Sequence, residues 1–107
     1  MPTVGKIELK ADKDVDAGAE VSLSDLFSYS ERYKEFSIDA DVTRDKTKLK
    51  IDVAKLGSLN ITADSTTKKG QKTSLSMLTK YTDINKKVKA SEAIKKGDAL
   101  TVNVKTV

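Results

Sequence analysis

The sequence contains no cysteine, no histidine and no tryptophan. Without cysteine, no disulfide framework braces the fold, which suits a reducing compartment. Without imidazole or thiol, Ser-His and Cys-His nucleophile pairs cannot be built from one chain. Zinc, haem and iron–sulfur sites lose their usual ligands for the same reason. Neither phosphate-cradling glycine pattern, Gly-x-x-x-x-Gly-Lys-Ser/Thr or Gly-x-Gly-x-x-Gly, occurs. No enzyme activity or small-molecule substrate is therefore expected. No catalytic, cofactor-binding or metal residue is assigned, and no cofactor. No apolar run approaches the roughly 18 residues of a membrane span. The opening segment MPTVGKIELK lacks the apolar stretch of a signal peptide. The expectation is cytoplasmic synthesis, with the chain staying there or leaving in a virion.

Aromatic residues are few, three Tyr and two Phe, so any core is built from small aliphatics. Charged residues make up 34% and apolar residues 37% of the 107 positions. That length allows one domain, 1–107, with a modest core. The apolar residues are patterned rather than scattered, which argues for a globular chain over a disordered one.

What the sequence does contain is a copy of part of itself. Residues 11–29, ADKDVDAGAEVSLSDLFSY, and 63–81, ADSTTKKGQKTSLSMLTKY, align at an offset of 52 with eight of 19 positions identical. The pairs include Gly18/Gly70, Ser22/Ser74, Leu23/Leu75, Ser24/Ser76, Leu26/Leu78 and Tyr29/Tyr81. A repeat constrains the architecture before any local reading. The halves fall at about 1–53 and 54–107. The first carries nine Lys/Arg against 12 Asp/Glu, a net of −3, and the second 11 Lys against four Asp/Glu, a net of +7, giving the overall +4. Such a split suggests an electrically polar domain.

The dominant hydrophobic period is two, the mark of strands with one buried face. Ile7, Leu9 and Ala11 alternate with Lys6, Glu8 and Lys10. Phe36, Ile38, Ala40 and Val42 form a second inward set, and Leu49, Ile51 and Val53 a third. The short polar link Thr43–Thr47 predicts that these two pair as a hairpin. Leu59, Ile61 and Ala63 follow the Gly57-Ser58 turn, and Leu100, Val102 and Val104 follow Lys95–Asp98. Ile38, Ile51, Ile61, Leu75 and Val102 are expected in one core.

After Val21 and Leu23 the period changes. Leu26, Tyr29 and Tyr33 are spaced for a helical face, with Ser24 or Ser28 as cap and a Ser28/Glu31 capping box. In 82–94, Val88 and Ala90 suggest a strand matching Phe36–Val42, the alternative being a helical turn over Ser91–Ile94. The fold expected is all-β: a single β-sandwich or small barrel of about eight strands, built from two pseudo-symmetric halves, each with a short helical bend.

Two clusters bear on function. Asp12, Asp14 and Asp16 before Gly18 have the alternation of a calcium loop, but Leu23 stands where the bidentate acid belongs, and a solvated acidic turn is the plainer reading. Lys46, Lys48 and Lys50 share an outward face, while Lys68, Lys69, Lys72, Lys86, Lys87 and Lys89 enrich the second half. Single-strand binders interleave such lysines with stacking aromatics; here the aromatics gather at the repeat bend.

The stretch Ala17–Phe27, AGAEVSLSDLF, resembles the opening of Ig-like and cadherin-like β-sandwich modules of phage virion and bacterial surface proteins. That resemblance implies a structural or adhesive role. Lys68-Lys69-Gly70-Gln71 with Lys95–Leu100 is similar to the swapped-hairpin DNA-binding domains of bacterial transition-state regulators and antitoxins. The reading that unites these features is a non-enzymatic structural or interaction module. Its most concrete form is a small virion decoration or tail protein, contacting a protein partner or further copies of itself. The alternative is a basic nucleic-acid-binding β-barrel.

Overall fold

The computed structural model describes residues 3–107. In chain order the elements are β1 (Thr3–Lys10), β2 (Glu20–Ser22), the one-turn helices α1 (Leu23–Leu26) and α2 (Tyr29–Arg32), β3 (Glu35–Ser37), β4 (Lys48–Val53), β5 (Gly57–Thr62), β6 (Lys72–Ser74), α3 (Leu75–Leu78), α4 (Tyr81–Ile84), β7 (Lys87–Lys89) and β8 (Ala99–Thr106). The chain is mostly β, and among the described residues all strand pairs are antiparallel. Among the described residues, no helix is long and apolar enough to cross a membrane.

Four of the five period-two segments form the main sheet, in the order β1-β8-β4-β5. Its registers place Ile7 opposite Val102, Leu9 opposite Leu100, Ile51 opposite Val104 and Leu49 opposite Ile61. Apolar residues thus meet apolar residues across all four strands, and a one-residue slip would turn each set to solvent. Ile38, Ile51, Ile61, Leu75 and Val102 all lie in one buried cluster, each at most 3% exposed. Two short ribbons complete the fold, β2 with β7 and β3 with β6.

Several features recur at a spacing of 52. Val15 bridges Ile94, and Val42 bridges Thr67. Gly18 and Gly70 both take the left-handed conformation, at φ +84° and +91°. There a side chain would be strained, and each glycine N–H reaches across the chain, to Ala90 O and Ile38 O respectively. Ser22 caps α1 by accepting from the Asp25 N–H at 3.2 Å, and Ser74 caps α3 from the Met77 N–H at 3.3 Å. The two Ser-Leu-Ser motifs are therefore strand ends that become helix caps, with Leu23 and Leu75 fully buried behind them.

Several local expectations are corrected. The strand over Phe36–Val42 stops at Ser37, and β3 pairs with β6 rather than in a hairpin with β4. Ile38 and Val42 are still buried, but their backbone partners are Gln71 and Thr67. The alternation reported burial, and burial does not require a continuous ladder. The cap of α1 is Ser22, not Ser24. Ser28 holds the N-cap position of α2 without a side-chain cap bond, so the Ser28/Glu31 box does not form. Ser91–Ile94 is not helical; Ser91 N donates to Lys55 O, and Ile94 joins Val15. Tyr29 and Tyr33 do not share the buried face of Leu26: they are 66% and 44% exposed.

Candidate interaction surface

The exposed tyrosines follow from the short helical turns. Tyr29 opens α2, and Tyr33, four residues on, falls on the same face. Their ring centroids are 4.3 Å apart, tilted by 47°. Arg32 lies over the Tyr29 ring, 5.6 Å from its centroid, within cation–π range. Its Nε donates to Phe27 O at 3.3 Å, which fixes the guanidinium in place. Phe27 itself is fully buried, so α2 is anchored from below while its aromatic face stays in solvent.

The ribbon β3–β6 sets Glu35 opposite Ser74 and so brings the end of α2 to the start of α3. Tyr29, Arg32 and Tyr33 form one wall of a groove of about 200 Å³. Ser76 and Thr79 from the α3 region, Tyr81 and Ile84 from α4, and Asp64 after β5 form the rest. The far wall is held by backbone bonds from Asp64 N to Leu78 O and by the Ala63–Thr79 bridge. The Thr79 hydroxyl donates to Leu75 O at 3.2 Å. All three tyrosines of the chain line this groove, Tyr81 being 72% exposed. The Ser76 hydroxyl is covered and has no hydrogen-bond partner among the described residues. Its counterpart at the 52-residue offset, Ser24, donates to the Asn85 side chain. The position 52 residues before Asn85 is Tyr33, an aromatic ring in place of an amide.

A second groove, about 310 Å³, lies along the β5 edge between Lys48, Asn60, Thr62, Asp83, Lys86 and Val107. Its buried carboxylate is already fully engaged. Asp83 accepts from the Thr62 N–H at 3.1 Å and the Thr62 hydroxyl at 2.9 Å, with Lys86 Nζ at 3.4 Å. Burial pushes the Asp83 carboxyl up, but the Thr62 bonds and the Lys86 charge outweigh it and hold it below the ordinary 3.8. Asp83 therefore covers an N–H that an incoming strand would need, a structural role at a sheet edge.

The acidic and basic sequence clusters are interspersed in space. Glu20 sits opposite Lys89 in the β2–β7 ribbon. Asp45 pairs with Lys80 at 2.9 Å and Asp52 with Lys105 at 3.5 Å. The Lys80 contact lowers the Asp45 carboxyl and raises the Lys80 amine. At these contacts the −3 and +7 halves meet, where the sequence suggested separate poles. Of the triple aspartate, Asp14 accepts from Lys96 N at 2.7 Å, the same task that Thr66 performs for Arg44 N. Among the described residues, no group of three or more acidic side chains is placed to hold a metal ion.

Sequence reasoning located the aromatics at the repeat bend but assigned Tyr29 and Tyr33 to a helical face with Leu26. The available signal was chemical: tyrosine carries a hydroxyl that favours a wet end, unlike the two phenylalanines, which are both buried. No protein-family model, no curated protein and no solved structure matches the chain.

Proposed function

We propose that the protein is a non-enzymatic structural or interaction module that works by surface contact. Its most concrete form is a small virion decoration or tail component, docking on further copies or on capsid or tail neighbours. The observation that carries this reading is the gathering of Tyr29, Tyr33, Tyr81 and Arg32 in one exposed groove. Tyrosine and arginine are the residue types enriched where interfaces concentrate their binding energy. Asp64 in the same groove argues against a polyanion as the occupant, because a phosphate backbone would meet a carboxylate there.

In this reading the scaffold is a duplicated unit whose two 52-residue halves interleave about a pseudo-twofold axis and close as a small barrel. Support comes from the paired strands, caps, bridges and glycine turns at constant spacing. The test is the native mass of the protein in its source material, measured by light scattering. A regular assembly far heavier than the 11.7 kDa chain is expected. A free monomer that binds labelled DNA at about 0.15 M salt, and loses that binding when Lys68, Lys69 and Lys72 become Glu, would replace this reading with the nucleic-acid alternative.

A further inference from the structure

We propose that the tyrosine groove is a self-complementary surface that receives a second copy of this chain about a true dyad. This inference rests on the reading of the groove as the contact surface and names its occupant. A twofold interface uses one patch on both subunits, so that patch must complement itself. The groove meets this condition in charge. Arg32 and Asp64 line it together, yet neither has an ion-pair partner within the chain among the described residues. Across a dyad, Arg32 of each copy can meet Asp64 of the other, twice per interface.

The groove also meets the condition in shape and chemistry. The Tyr29–Tyr33 pair stands on one wall and Tyr81 on the other, so a rotated copy lays ring against ring and guanidinium against ring. A standard interface takes about 800 Å² per partner, a modest share of the 5854 Å² surface of this chain.

The experiment is sedimentation equilibrium of the full chain and its charge variants over a wide concentration range. Wild type is expected to reach twice the chain mass. Arg32→Asp and Asp64→Arg are each expected to weaken the dimer by about tenfold or more. The double variant, which restores opposite charges across the dyad, is expected to recover most of the loss. Tyr29→Ser with Tyr81→Ser should give a folded monomer, since both side chains are exposed, with the modest fall in melting temperature that loss of the dimer and of the Tyr29–Tyr33 contact brings. A wild type that stays monomeric at every concentration overturns the dimer. So does a double variant no better than the worse single one. If either occurs while the native material still contains a heavy mixed assembly, the groove's occupant is wrong and the interaction-module reading survives. A monomer in both settings removes both.

Discussion

Gly5 is the position where the smallest substitution tests the packing most sharply. It lies in β1, at an irregularity in the register with β8, and has no left-handed backbone requirement of its own. A Cβ built there would meet Phe36 Cε2 at 2.5 Å, Cδ2 at 2.7 Å and the Ser37 carbonyl oxygen at 3.0 Å. The Cδ2–Cε2 edge of the Phe36 ring therefore packs directly against the β1 backbone, and Phe36 is 7% exposed, with little room to swing away. Overpacking of this kind costs about 1–3 kcal/mol. Replacing Gly by Ala returns about 0.4–1 kcal/mol by restricting the unfolded chain. Gly5→Ala should therefore destabilise the fold by about 1–2 kcal/mol. In urea unfolding this is a lower midpoint with an unchanged slope. Phe36→Leu alone should cost about 1–2 kcal/mol through lost packing. In the Gly5→Ala background the same change removes the obstructing ring, so its cost should shrink or reverse, with a coupling of about 1 kcal/mol or more. A Gly5→Ala protein as stable as wild type, or two costs that simply add, would refute the close approach of β1 and β3.

Other expectations follow from the core, caps and carboxylates. Ile51→Ala and Val102→Ala should each cost about 2–4 kcal/mol, since both side chains are fully buried in the main sheet; a cost near zero by urea denaturation would mean the inward face is misassigned. Ser22→Ala and Ser74→Ala should each cost about 1 kcal/mol, while Ser28→Ala, which removes no cap bond, should be nearly silent in the same assay. The Asp83 carboxyl is held below 3.8 in the fold, so the unfolded chain takes up its proton at a higher pH than the folded one. Its contribution is complete above that value and fades as pH falls through the lower folded one. Thermal melts from pH 7 down to pH 2 should show Asp83→Asn losing less stability than wild type over that acid window.

Most of the buried aliphatic positions and the turns were legible in the sequence, though Tyr29 and Tyr33, read as part of a helical face with Leu26, are exposed. Alternation over Lys6–Ala11, Lys48–Val53 and Leu100–Val104 marked β1, β4 and β8, because a period of two is a local property of an extended backbone with one wet face. Gly18, Gly70 and Gly97 marked turns, because their left-handed φ is a local cost that glycine avoids. The offset of 52 named Leu23 and Leu75 as equivalent, and both are fully buried. Strand pairing, by contrast, was set by long-range contacts. Phe36–Val42 and Lys48–Val53 are neighbours in sequence with a turn between them, yet β3 pairs with β6 and β4 with β5 and β8. Burial can be read from one segment, but a ladder depends on which distant segment supplies matching backbone groups. For the same reason, no local pattern foretold that Tyr29, Tyr81, Arg32 and Asp64 line one groove. Their distance is set by the register of β3 on β6 and by the bond from Asp64 N to Leu78 O, and both are contacts between parts of the chain far apart in sequence.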